Sequence, residues 1–412
     1  MQNTWCMSPF RWISNKERMA MDQIVVLGAG VGGAMSANML RRRLDSSDAE
    51  ITIVDKSTQH AYQPSYYLLP FGYMEPEDQF RDVSEVMQSG VEFLQGEVTG
   101  VDPDAKTVQL ADDELSYDYL VVSLGHRLAA EATPGMMEGW EDTDSVFPFY
   151  YFDAAMEMRE ALQDFDGGTF VVSVPDTPIK CGGAPLKMTM LAEDYFQRQG
   201  IRDEVDVVMT KGGDAVFGVS PYREKLEEIW SDRDIEFRGG FTVSEVDPDE
   251  QVIYSEDGET QEYDFYAPVP PQYGQPALTD NSPLTEGDDE HDGEYVTVDK
   301  HRLQHTEYED VFALGDAGNT PNAKTAAAAR KQAHVVVDNL ESHMEGRPQT
   351  AKYKGYAACP LLTKKGKAMV AEFDYEESIS APVESRMNWI MDINILPSFY
   401  WNAWLHGYDP LP

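Results

Sequence analysis

Two of the three cysteines in this 412-residue chain, Cys181 and Cys359, sit in segments suited to sulfur chemistry. Cys181 lies in "TPIKCGGAPLK" (Thr177–Lys187), a glycine turn between an apolar strand pattern and a helical one. A helix N-terminus and the adjacent Lys180 favour a thiolate over a thiol. Cys359 lies in "AACPLLTKK", with Lys364 and Lys365 just beyond it. Their distance in sequence forbids no pairing, because disulfide geometry is set by the fold. The competing reading is two unrelated buried thiols, since cysteine packs well as a small hydrophobe. The third, Cys6, falls in a leader of residues 1–21 expected to be disordered, with Met21 an alternative start. Three cysteines make no disulfide framework, and no pair has zinc-ligand spacing, so no metal site is expected.

A second set of residues suits a dinucleotide. "DQIVVLGAGVGG" runs a short strand, Ile24–Leu27, into Gly28, Gly30 and Gly33, then a helical pattern. "EITIVDKS" follows as a strand ending on Asp55. Gly28 permits the tight turn, Gly30 lets the backbone approach a pyrophosphate, and Gly33 allows close helix–strand packing. Asp55 stands where a ribose acceptor belongs, about 20 residues on. Gly125 ends a later apolar strand, Tyr119–Leu124, and lets backbone lie near a cofactor. Gly315-Asp316 ends the strand Val311–Leu314 ahead of an alanine-rich helix. Together with the N-terminal motif, this points to FAD, with the aspartate on the ribityl chain.

The elements that must position these residues form an α/β chain with two Rossmann-like dinucleotide-binding folds. A FAD-binding part is expected over 22–146, and a second unit over 147–266. A loop and a return to the FAD domain occupy 267–350, and a C-terminal segment occupies 351–412. The second unit lacks a nicotinamide loop. Pro175, Pro178 and Lys180 stand where G-x-G-x-x-G would be, and proline offers no N–H to a phosphate. Ala267–Glu294 reads as loop. Pro397 is expected to split the tail into two short helical stretches, and Trp389, Trp401 and Trp404 suit a membrane interface. A dimer contact or a core cap is the alternative for this tail. No apolar run is long enough to span a bilayer.

Acidic residues outnumber basic ones 73 to 32, for a formal net charge of −41. That excludes nucleic-acid binding, which needs a basic face. It fits a halophile's acid-covered surface, where salt screens self-repulsion.

The cysteine segments "TPIKCGGAPLKMTMLAEDYF" and "YKGYAACPLLTKKGKAMVAEFDY" resemble those of sulfide:quinone oxidoreductases, membrane-associated relatives of type II NADH dehydrogenases. "HAYQPSYYLLPFG" and "VPPQYGQPAL" resemble family segments too, and the likeness runs from Asp22 to the C-terminus. It implies that Cys181 and Cys359 lie on one face of FAD as a disulfide or sulfur-bridged pair. Sulfide would attack it, leave a persulfide, and free a thiolate whose electrons pass through the flavin to a quinone. It places Lys324 and Thr325 against the flavin ring. Phe373, Tyr375, Phe399 and Trp401 become candidates for the quinone pocket. A cysteine used by some members for a covalent flavin link is missing from "GHRLAAEATPG", which implies non-covalent FAD. The implied partners are sulfide, quinone and the cytoplasmic side of the cell membrane, held monotopically; homo-oligomerisation is left open. The rival readings are a type II NADH:quinone oxidoreductase, the flavoprotein subunit of a cytochrome-linked sulfide dehydrogenase, and a non-catalytic FAD-binding scaffold.

Overall fold

The computed structural model describes residues 21–287, 293–376 and 378–409. Residues 1–20 of the expected leader, Cys6 included, lie outside the described residues. The chain first builds β1 (Asp22–Leu27), α1 (Val31–Arg43), β2 (Ala49–Asp55), β3 (Val91–Gln95) and β4 (Tyr119–Val122). It then builds β5 (Gly168–Val174), α2 (Ala184–Gln199), β6 (Val205–Lys211), β7 (Ile235–Gly239) and β8 (Phe265–Pro268). It returns with β9 (Val311–Ala313) and α3 (Ala326–Met344), and ends in the hairpin β10 (Ala357–Lys364) and β11 (Lys367–Phe373) and a helical tail.

The first sheet has the order β9-β4-β1-β2-β3 and the second β7-β6-β5-β8, every pairing parallel. Central parallel strands are covered on both faces, so they need unbroken apolar runs. "IVVL" in β1 and "FVV" in β5 supply them, all buried, and the buried Ser173 that follows is paired with the Tyr266 hydroxyl. Phe265 of β8 stacks on Phe170 of β5 with ring centroids 5.3 Å apart, worth about 0.5–1.5 kcal/mol beyond burial. Each sheet thus ends its first or central strand at a turn that opens a helix: β1 into α1, and β5 into α2.

Two expectations need correction. Ala267–Glu294 is not all loop: β8 includes Ala267 and Pro268, and Gln272–Tyr273 pairs with Arg127–Leu128. Pro268 is tolerated because it closes an edge strand. Nor does Pro397 break the tail. Arg386–Ile390 and Leu396–Phe399 are α-helical, and Met391–Ile395 and Tyr400–Trp404 are π-helical turns that continue them. The wider turn ahead of Pro397 accommodates its missing donor without ending the helix.

Candidate active site

Cys181 stands at the turn between β5 and α2 with φ +50°, a left-handed conformation rare outside glycine. Its surroundings hold it there. Its N–H donates to the Lys324 carbonyl at 2.7 Å, and its own carbonyl accepts from Ala184 N at 2.8 Å. The Tyr150 hydroxyl reaches the Lys180 and Cys181 carbonyls at 3.0 and 3.1 Å. Cys359 comes from β10, opposite Ala371, and is buried where β10 packs on α2. The two sulfurs are 3.7 Å apart, close but unbonded, since a disulfide needs about 2.05 Å. Gly183 makes this approach possible, because a Cβ there would overlap Cys359 Sγ and crowd Leu361.

The cation of the site is Lys187, in the first turn of α2. Its Nζ lies 3.6 Å from Cys181 Sγ and 3.9 Å from the centroid of the Tyr67 ring. The hydrogen bond from Cys359, with Lys187 and the Gly183 N–H, holds Cys181 below the ordinary thiol value despite burial. Cys359 is pushed well above it by the Cys181 thiolate and by burial. One proton shared by two sulfurs, with the ammonium on one of them, makes Cys181 the thiolate. Burial works against the charge of Lys187, yet the two sulfurs and Asp392 outweigh it and raise its pKa.

The lysines expected near the thiols do other things. Lys180 Nζ donates to Gln63 Oε1 at 2.6 Å. Its backbone forms the bridge to Lys324, and its ammonium is held by Gln63 while Cys181 and Asp316 act on it only through charge. Lys364 ends β10, and Lys365 lies 6.0 Å from the Tyr73 ring centroid. Lys187 was legible only as a charge inside the apolar run "APLKMTML"; Tyr67, Tyr150 and Gly183 carried no comparable signal.

The residues of the first turn fit a dinucleotide. Gly28 has φ +93°, and a Cβ there would overlap the Ser123 carbonyl. A Cβ at Gly33 would overlap the Gly28 carbonyl, whereas one at Gly30 would meet no protein atom within 4 Å. Gly30 therefore faces open space at the start of α1, where a phosphate would sit. Asp55 accepts from Ala29 N at 2.7 Å and from Ser57 N at 2.9 Å. It braces the loop and retains lone-pair capacity for a ribose. Gly125 and Gly315 have φ +69° and +68°. Lys324 is buried rather than solvated: its Nζ donates to the carbonyls of Asp316 and Gly318 at 3.0 and 2.7 Å. Thr325 caps α3 by accepting from Ala328 N at 3.1 Å. Beside them, buried His126 Nε2 and Gln272 Nε2 have no hydrogen-bond partner among the described residues. Such orphaned polar atoms call for a ligand, and this donor-rich wall next to the sulfur turn suits a flavin.

The four aromatics proposed for a quinone divide between two cores. Phe373 packs with the second, beside Phe217, while Tyr375, Phe399 and Trp401 pack with the first. Trp401 is 4 % exposed and meets His60 and Tyr62; Trp404 is 7 % exposed. These two tryptophans are core, which corrects their assignment to a membrane interface. The exposed large apolar residues of the tail are instead Ile379, Val383, Met387 and Tyr408.

Two dinucleotide-type sheets, with an open glycine turn in the first and a cysteine pair beside a donor-rich wall in the second, define a flavin-dependent oxidoreductase of the disulfide-reductase class. The pyridine nucleotide-disulphide oxidoreductase family model matches residues 22–173. The mitochondrial sulfide:quinone oxidoreductase of Dictyostelium discoideum is 34% identical over 96% of this chain and 89% of its own. That of Mus musculus is 32% identical over 94% and 87%. The solved sulfide:quinone oxidoreductase of Aquifex aeolicus shares the fold, with TM-score 0.80 and 20% identity over 94% of this chain and 92% of that one. The chain belongs to the sulfide:quinone oxidoreductase family.

Proposed function

We propose that the protein oxidises sulfide to persulfide or polysulfide sulfur and delivers the electrons to a membrane quinone. The observation that carries this reading is the sulfur pair at 3.7 Å with Lys187 at 3.6 Å from one member. In the oxidised state the two sulfurs are joined directly or through a bridging sulfur. Hydrogen sulfide attacks one sulfur and gives up a proton, the bridge breaks, and one cysteine leaves as a thiolate while the other carries the new persulfide. Lys187 stabilises the departing thiolate, and Gly183 keeps the two sulfurs in reach for re-closure. FAD, when bound, supplies the two-electron relay between this sulfur and the quinone. Gly28, Gly30 and the N-terminus of α1 hold its pyrophosphate, Asp55 and Asp316 its ribose and ribityl hydroxyls, and Lys324, His126 and Gln272 its ring end. Binding is non-covalent: the two described cysteines are committed to one another.

Residues 22–146 and 267–350 carry the flavin, 147–266 the sulfur turn, and 351–412 the second cysteine and the quinone and membrane faces. Ile379, Val383 and Met387 dip into the cytoplasmic surface of the membrane; no described helix is long and apolar enough to cross it. Support against a nicotinamide donor comes from a cavity of about 410 Å³ beside the end of β5. Pro175, Asp176 and Glu256 are among the residues that line it: the proline has no N–H to offer, and the two carboxylates oppose the charge of a pyrophosphate. The test is sulfide-dependent reduction of a soluble quinone analogue. Wild type is expected to be active and Cys181→Ser inactive; activity surviving in the variant overturns the reading.

A further inference from the structure

The tail helix carries one carboxylate inward. Trp389 and Ile393 pack on the core that also contains Cys181, Cys359 and Tyr67. Asp392 lies between them, in the π-helical turn Met391–Ile395. The residue is partly exposed as a whole, but its carboxyl end is enclosed, and its Oδ2 accepts from the Tyr67 hydroxyl at 3.1 Å. Tyr67 is 4 % exposed and bears the Lys187 ammonium on its ring face. Cys181, Lys187, Tyr67 and Asp392 thus form an unbroken series of contacts from the sulfur pair to the tail. The sequence marks this position only as a lone acid in "WIMDINIL".

We propose that Asp392 takes the proton released when hydrogen sulfide opens the Cys181–Cys359 bridge, and gives it up when the bridge re-forms. The inference rests on the sulfide-oxidising reading of the site. The charges alternate around one fixed cation. With the sulfurs bridged, neither is charged, and the Asp392 carboxylate balances Lys187. Once the bridge opens, the thiolate takes over Lys187, and two anions beside one buried cation are too many. The balance is HS–H + Cys–S–S–Cys + Asp–COO⁻ → Cys–S–SH + Cys–S⁻ + Asp–COOH. One sulfur–sulfur bond breaks and one forms. The sulfide sulfur is oxidised, the leaving cysteine is reduced, and the second hydrogen stays on the persulfide.

The groups facing Asp392 are Lys187 from α2, Tyr67 and Tyr62 from Gln63–Phe71 and the residue before it, Cys181 from the turn, and Cys359 from β10. Burial, with a smaller push from Cys181, raises the carboxyl to about 6 against the opposing pull of Lys187 and the Tyr67 hydroxyl. A carboxyl so placed changes protonation within the working pH range. Asp392 acts through Lys187 and Tyr67 and not on the sulfur itself, so it is a positioning residue that stores a proton.

The test is an infrared difference spectrum of the flavin-loaded protein, before and after anaerobic addition of excess sulfide, which reduces the flavin in one turnover and then opens the re-formed bridge a second time, with the flavin absorbance followed in the same sample. A protonated-carboxyl band is expected to appear in wild type and Asp392→Glu and to be missing in Asp392→Asn. The rate of flavin bleaching should fall about 10²-fold in Asp392→Asn and lose its acid limb, with recovery in Asp392→Glu. Bleaching of the wild-type flavin without the band overturns the proposal and leaves sulfide oxidation standing; this arm needs no variant to fold. A wild-type flavin that sulfide does not bleach overturns both.

Discussion

The two strand-to-helix turns of this protein occupy equivalent places in their sheets and have opposite chemistry. At the end of β1, glycines clear a space in front of a helix N-terminus, and no side chain enters it. At the end of β5, the same architecture delivers a cysteine, with its backbone forced left-handed, and the following helix donates a lysine and a gap for a second sulfur. A turn that binds an anion and a turn that stabilises a thiolate answer the same electrostatic demand, a negative charge at a helix start. What differs is whether that charge belongs to a ligand or to the chain.

Small substitutions at equivalent sites should therefore have separable effects. The largest is expected for Gly30→Val. Its side chain meets no nearby protein atom at Cβ, so the fold is undisturbed, but it fills the space a pyrophosphate needs. Flavin content per protein, read from visible absorbance after desalting, should be lost. Gly183→Ala should keep its flavin and lose its sulfur chemistry, since the added methyl pushes Cys359 Sγ away. A displacement of that order costs about 10²-fold in rate, measurable as sulfide-driven bleaching. If both variants lost flavin equally, the distinction between the turns would fail.

Lys187→Gln sharpens the electrostatic half of the comparison. Lys187 favours the charged form of Cys181, so its removal raises the thiol pKa. The pH profile of Cys181 alkylation in the reduced protein should move up by about 1–3 units. No movement would show that the hydrogen bonds from Cys359 and the Gly183 N–H set the thiolate without Lys187. The smallest effect is expected at the tail, where Val383→Asp with Met387→Asp should weaken vesicle binding about tenfold and leave sulfide bleaching in solution unchanged.

The first turn was legible in sequence because its parts are contiguous: strand, glycines, helix and terminal acid are read in a single pass. The cysteine pair was legible as two motifs, but the lysine serving it was not. Lys180 is the neighbour along the chain, but it is Lys187, from the first turn of α2, whose ammonium contacts the Cys181 sulfur once the loop folds back on the helix start. Tyr67 and Asp392 come from segments far from either cysteine, so only tertiary packing brings them in. Pro397 misled in the other direction. A proline ordinarily ends a helix, and here a π-helical turn absorbs it and keeps Trp401 and Trp404 against the first core. The same continuity holds Asp392 beside Tyr67.

The central claim is that the second turn has exchanged a nucleotide donor for a sulfur donor. Its most direct test is an anaerobic titration of the flavin-loaded protein with sulfide and, separately, with NADH, following the flavin absorbance. Bleaching by sulfide and none by NADH is the predicted result; bleaching by NADH with no response to sulfide would contradict it.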